Sequence, residues 1–204
     1  MARPAGALGA TFMLTSPADL YRKINYEAIE LRNSPPANIE GVAYAVMNSI
    51  TSAWQMKDWV YRTLKTEGRL DDLNSFADRQ IKSAEDFGTF LTTSRPMMDM
   101  CFQIATAAKH LGLRKEPENV AISFVAEDWP DRLRAHDMDV GPVLMVATPE
   151  IITSAADLVL SIAYLWKRAL VDLRLMEDDD PPPTHVFEVP EIRFEDDERR
   201  ADLV

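Results

Sequence analysis

Asp58, Lys109 and His110 are the side chains of this sequence whose types best suit acid–base chemistry. An aspartate that accepts from an imidazole N–H orients the ring and raises its pKa. A plainer reading competes with that one. Asp58 is flanked by Trp54 and Trp59, and an acid in such company serves a buried donor, here the Lys57 ammonium or an indole N–H. His110 stands in the last turn of its helix, where a partly cationic ring suits the negative end of the dipole. A second group lies between Glu127 and Gly141, where Glu127, Asp128, Asp131, His136, Asp137 and Asp139 could offer oxygen and nitrogen ligands to a divalent metal. Asp137-x-Asp139-x-Gly141 lacks the third acid and the later glutamate of a calcium loop, so a solvated loop with no metal is expected. Trp129, near its start, is a candidate partner anchor.

No Gly-rich phosphate loop, Gly-x-Ser-x-Gly turn or His-Glu-x-x-His is present. A single cysteine excludes an intramolecular disulfide and a multi-cysteine zinc site. No cofactor is expected.

Charge divides the chain. Glu177 to Val204 holds eleven Asp/Glu against three Arg, a net −8, so of the total −11 the body keeps −11 + 8 = −3. A body with so little net charge and an acidic tail lack the clustered Lys/Arg that phosphate binding needs. Within that tail, HVFEVPEIRF sets Phe187, Val189, Ile192 and Phe194 among acids and a proline. Charge accounts for solubility but not for four large apolar residues so close together. They mark a docking segment, laid on this chain's own body or added to a protein partner as a strand.

The elements that must position these residues are mostly helical. Asn38 to Lys65 has no proline. At about 100° per residue its Ile39, Val42, Val46, Ile50, Ala53, Val60 and Leu64 share one side. Met47, Trp54 and Tyr61 widen that arc, Lys57 interrupts it, and Trp59 sits on the polar face. A helix of this length would run roughly 40 Å, and Trp59 implies cover on both sides. Before it, Ser16-Pro17-Ala18-Asp19 opens a helix to about Asn33. After it, a helix opens at Asp71 or Asp72 and breaks near Ser83, where Ser83-x-x-Asp86 can cap a fresh start. Pro96 to Leu111 forms another, with Met97, Met100, Cys101, Ile104, Ala108 and Leu111 on one face. Asp99, Gln103, Thr106 and His110 form a polar stripe read as its solvated side. The period then changes to two: Val120, Ile122, Phe124 and Ala126 alternate, as do Val143, Met145 and Ala147, which predicts a β-hairpin. Thr148-Pro149-Glu150 is read as the cap of a last helix reaching about Leu175, apolar nearly all round from Leu158 to Trp166.

SAWQMKDWV and MCFQIATAAKHLGL together resemble a family of uncharacterised bacterial and phage helical proteins with W-H-x-x-D-W on one helix and C-x-D-I-A-N-x-x-K-H on a later one. Trp54, Asp58 and Trp59 match the first pattern; Cys101, Ile104, Ala105, Lys109 and His110 match the second. Gln55, Gln103 and Thr106 depart from it, standing where the family has His, Asp and Asn. The resemblance spans roughly Asn38 to Leu175 and implies a helical fold without an activity. A different comparison, with helical RNases of the HEPN type, holds only as an analogy of fold, because the spacing does not match. Those need Arg and His about four to six residues apart on one helix, whereas Arg132 and His136 fall in a predicted loop and Arg95 and His110 are too distant.

The expectation is a mainly α protein: an arm over residues 1–15, a multi-helix bundle over 16–176 around a long central helix, a β-hairpin within 119–148 before the last helix, and an acidic tail over 177–204. The expected function is a non-enzymatic interaction or assembly protein of bacterial or phage origin, binding a protein partner or itself. The alternative is a HEPN-like or other defence-associated helical RNase or enzyme using Asp58, Lys109 and His110. With no apolar run long enough to span a membrane and no signal layout at the start, the expected location is cytoplasmic, with neither membrane nor nucleic acid as partner. Binding to DNA or RNA at physiological salt is expected to be negligible. Salt-sensitive, sub-micromolar binding in an anisotropy titration would overturn that expectation.

Overall fold

The computed structural model describes residues 14–33, 39–109, 121–125, 143–148 and 151–178. Among them are six helices and three strands. The helices are α1 (Pro17–Arg32), α2 (Ile39–Thr66), α3 (Leu70–Ala77), α4 (Ala84–Ser94), α5 (Pro96–Lys109) and α6 (Ala155–Asp172), and the strands are β1 (Ala121–Val125), β2 (Val143–Ala147) and β3 (Ile152–Ser154). The mainly helical bundle with a hairpin before its last helix is the architecture that the periodicities predict.

Capping chemistry sets where several helices begin. The Ser16 hydroxyl accepts the Asp19 amide at 3.1 Å and donates to the Asp19 carboxylate at 2.8 Å, closing the start of α1 reciprocally. Ser83 accepts from the Asp86 amide in the same way, so α3 and α4 are separate helices where the sequence placed a break. The expected start at Asp71 or Asp72 moves slightly: α3 begins at Leu70, with both acids in its first turn. There they complement the positive end of the dipole.

The core lies between α2 and α6, with α1 packed on both and α5 closing the other side. On α2, Val46, Ile50, Ala53, Met56, Val60 and Leu64 are buried, and the half-buried Trp59 packs against the same cluster. The α2 helix has 28 residues, about 42 Å at 1.5 Å each. On α6, the six consecutive residues Leu158 to Ala163 are all buried, as its all-round apolar middle requires. Phe87 stands at the centre of an aromatic group, meeting Phe76 and Phe90 and lying edge-on to the buried Trp166 with ring centroids 6.3 Å apart. Polar side chains fix α1 against α2: Lys23 Nζ donates to Glu27 at 2.7 Å and to Ser52 Oγ at 2.8 Å, and Asn48 donates to the same Glu27 oxygen.

The sheet departs from expectation in two ways. The β1–β2 hairpin is antiparallel, Ala121 opposite Ala147 and Val125 opposite Val143, but β3 extends it as a third strand, with Ser154 opposite Met145. Residues read as the opening of the last helix are therefore strand. Thr148 closes the β2–β3 turn, its amide donating to the Ile151 carbonyl at 2.7 Å and its hydroxyl accepting from the Ile151 amide at 3.0 Å. Ser154 caps α6 instead, accepting from the Asp157 amide at 3.0 Å. Two cap sequences compete here, and the one that leaves Ile152–Ser154 free to pair with β2 prevails. Val143, Met145 and Ala147 mark the strand, but the residues joining the main core cluster are Leu144 and Val146.

The helix start at Asp19 carries a pH dependence. Burial pushes its carboxyl pKa up, but the Thr15 amide, the hydroxyls of Ser16 and Thr15 and the Arg22 charge together hold it below the ordinary value. A depressed folded-state pKa contributes stability above the unfolded value and loses it as pH falls through the folded value. Asp19→Asn is thus expected to cost about 1 kcal/mol at neutral pH, with the difference from wild type shrinking below about pH 4. Denaturant unfolding at pH 7 and pH 3 checks this; a difference independent of pH would refute it.

Candidate functional site

Asp58 lies half-exposed on α2, its side chain at 42% of full accessibility. The buried member is Lys57, whose side chain is 9% exposed and whose Nζ reaches Asp58 Oδ1 at 2.9 Å. Lys57 also lies over the Trp54 ring, 5.2 Å from its centroid, a cation–π contact of modest worth. Room for it comes from Gly88 on α4. A Cβ there would sit 3.0 Å from Lys57 Cδ and 3.3 Å from Trp54 Cη2. Glu85 shares this neighbourhood, its carboxyl held below the ordinary range by its own backbone amide, the Ser83 hydroxyl and then the Lys57 charge.

The Asp58 arrangement is that of a surface acid neutralising a lysine whose stem is buried, as the plainer reading of the sequence has it. Lys109 closes α5 but its side chain, like His110, lies outside the described residues, and so does any convergence of the two on Asp58. Trp129, the loop from Glu127 to Gly141, Phe187, Val189, Ile192 and Phe194 lie outside them as well. On α5 the Gln103 amide donates to Asp99 at 2.7 Å, and Asp99, Gln103 and Thr106 are half-buried rather than fully solvated. Cys101 is buried, its thiol 3.5 Å from the Ile50 carbonyl and its pKa pushed far up by burial, which keeps it a packing residue and not a nucleophile. Among the described residues no group of His, Cys, Asp and Glu could hold a metal ion, and no helix is long and apolar enough to cross a membrane.

The end of α6 carries polar machinery that sequence periodicity does not register. Arg69 donates to the Leu173 carbonyl at 2.6 Å while pairing with Asp72 and Glu67, so a guanidinium from the α2–α3 turn closes the last turn of α6. Arg174 then takes a left-handed conformation, φ +54°, and the Leu175 amide returns to the Leu170 carbonyl at 2.8 Å. Lys167, only 7% exposed, donates to the Asp178 carbonyl at 3.2 Å and lies 3.4 Å from its carboxylate. Residues 173–178 are therefore fastened to the body.

Beside them opens a cleft of about 550 Å³. It is lined by Ser16, Ala18, Arg22, Arg174, Leu175, Met176 and Glu177, and the surface it offers is mainly polar. A signal existed for one part of this: Lys167 interrupts the apolar helix as Lys57 interrupts α2, and a lysine on an apolar face requires an acceptor. Nothing local marks Arg22 or Arg174, because the cleft joins two chain segments far apart in sequence.

Comparison with known proteins finds no matching family model, no matching curated protein and no matching solved structure. The likeness to the bacterial and phage helical family therefore stands on its motif residues alone.

The Lys57–Asp58 geometry yields opposite signs for its two members. Asp58→Ala orphans a buried ammonium, but the exposed carboxylate is well screened, so the expected cost is about 1 kcal/mol. Lys57→Met replaces the buried cation with an apolar chain of similar length and leaves Asp58 to water, with melting temperature unchanged or raised. Calorimetry on both variants tests the pair. Unchanged stability in Asp58→Ala with loss of an activity would instead assign Asp58 to catalysis.

Proposed function

We propose that this chain is a non-enzymatic interaction or assembly protein of bacterial or phage origin, docking through its acidic C-terminal segment to a protein partner or to itself. The observation that carries the reading is the fastening of residues 173–178. Arg69 holds the Leu173 carbonyl and the buried Lys167 holds Asp178, at the point where the acidic segment begins. A solubilising appendage has no need of a fixed exit; a docking arm does, because a fixed root limits the volume its end must search.

Phe187, Val189, Ile192 and Phe194 are the docking residues in this reading, with Trp129 as an additional anchor. Fully burying each Phe is worth roughly 1.5–3 kcal/mol. That offsets the ordering of only a few residues at about 1–2 kcal/mol apiece, so the docked stretch is short, near Val186 to Phe194. Pro190 lacks an N–H, so a strand formed here pairs at an edge or is interrupted there. Enzymatic use of Asp58 is disfavoured by its pairing with Lys57. The place of action in this reading is the cytoplasm, without nucleic acid, consistent with a net −11.

Phe187→Ala combined with Phe194→Ala is expected to weaken self-association or partner capture while the helical circular-dichroism signal stays unchanged. Hydrogen exchange showing Val186 to Phe194 unprotected in the assembled state would refute docking and return the segment to solvent.

A further inference from the structure

From Gly41 to Met56, α2 runs sixteen residues without a charged side chain, between Glu40 and Lys57 (57 − 40 − 1 = 16). On its inner side Val46, Ile50, Ala53 and Met56 are buried in the core. The outer side is open. Tyr44 is 69% exposed, Asn48 and Gln55 are exposed, and Met47, Thr51 and Trp54 are half-buried. Tyr44, Met47, Thr51 and Trp54 stand at i, i+3, i+7 and i+10, one side of a helix at about 100° per residue. Phe102 of α5 extends the band: it is 39% exposed, and its ring centroid lies 5.0 Å from that of Trp54. A solvated helix face of this length ordinarily carries charge. This one carries Tyr, Met, Trp and Phe with uncharged amides and a hydroxyl. That is the composition of an interface centre, where aromatic residues and Met are enriched and charged residues depleted.

The neighbours of α2 set the size of this face. Ser52 meets α1 through Lys23, and Trp54 meets α5 through Phe102. These two positions are about 200° apart around α2, so α1 and α5 flank it on opposite sides. Three helices about 9 Å apart, over the roughly 24 Å of the uncharged run, present a face on the order of the 800 Å² that each partner of a stable dimer contributes. Charge lies at its margins: Glu40 and Asp58 beyond the ends of the run, Glu27 on α1, and Asp99 on α5, the last bound by Gln103. Charge also decides the occupant. The chain carries a net −11, so two copies that meet on a charged surface bring like charges together, whereas two that meet on this run do not. Thr51 and Gln55 each donate and accept, and so pair with their own kind. Tyr44 and Trp54 are ten residues apart (54 − 44), about 15 Å along the helix. An antiparallel two-fold crossing midway between them lays each on the other. We infer that the outer face of α2 is a homodimer interface, in which Tyr44 of each copy packs on Trp54 and Phe102 of the other. Such a contact is isologous and closes at two copies. It does not use the acidic segment, which in the reading above is left for a protein partner.

The test is sedimentation velocity on the full chain across a dilution series. Wild type is expected to be a dimer that added salt does not weaken, since the centre of the contact holds no ion pair. Tyr44→Lys is expected to weaken dimerisation about tenfold or more. Because Tyr44 is exposed, this variant is expected to keep its melting temperature. Phe102→Glu is expected to weaken dimerisation in the same way. An equimolar mixture of the two variants is expected to dimerise again. One of its two contacts sets the introduced lysine against the introduced glutamate, and the other keeps Tyr44 on Trp54 and Phe102. A dimer untouched by either single variant would overturn the assignment, as would a mixture that associates no better than its parts. A dimer lost in Phe187→Ala/Phe194→Ala but kept in Tyr44→Lys would overturn it too and move self-association to the acidic segment. A wild type that is monomeric throughout would end the inference and leave docking of the acidic segment on a different protein standing.

Discussion

The all-round burial of α6 is the constraint from which the rest of the structure follows. Six consecutive buried residues, Leu158 to Ala163, cannot be covered by one neighbour, because successive side chains point about 100° apart around the helix. Cover must arrive from several directions, and it does, from α1, α2, α5 and the β2–β3 edge of the sheet. The long α2 supplies the largest of these surfaces, and α1 seals the line between the two. The small sheet is part of the same solution: Leu144 and Val146 join the main core, and β3 runs directly into α6 through the Ser154 cap.

Two lysines intrude on this core, and each shows how a long cation can be held in an apolar setting. Both bury their stems and bring the ammonium out to an acid at the surface. Lys57 uses the adjacent Asp58 and the face of Trp54, with Gly88 giving it space. Lys167 reaches across the chain to Asp178 and thereby ties down the segment after α6. The first device is local and leaves nothing over for chemistry. The second reaches beyond its own helix, since it fixes the root of the acidic segment, and for that reason function is sought at the end of α6 and not around Asp58.

Among the described residues the interior is otherwise short of reactive groups. Cys101 is buried and held as a thiol, Asp19, Asp86 and Asp157 are engaged with the capping serines, and the Lys23–Glu27–Ser52–Asn48 cluster is spent on fixing α1 against α2.

Much of the fold was legible because its causes are local. Ser16 and Ser83 sit three residues before an acid, which identifies a helix start without reference to anything distant. The apolar arc of α2 and the nearly uniform apolar middle of α6 follow from periodicity alone, and the excess of acid after Met176 is plain arithmetic on the sequence. What the sequence did not reveal depends on pairing across distance. β3 exists because β2 offers it an edge, so Ile152–Ser154 became strand where a Thr-Pro-Glu cap had made helix the local expectation. The stem of Lys57 packs closely on Gly88, thirty-one positions further along the chain (88 − 57), where a side chain would crowd it. The cleft at the end of α6 has no sequence signal at all: Arg22 and Arg174 belong to helix ends that only the packing of α1 on α6 brings together. By itself the sequence determined helix starts, apolar faces and where the charge lies. Tertiary structure alone decided which acids meet which cations, because a long side chain takes its partner from whatever the packed helices place within its reach.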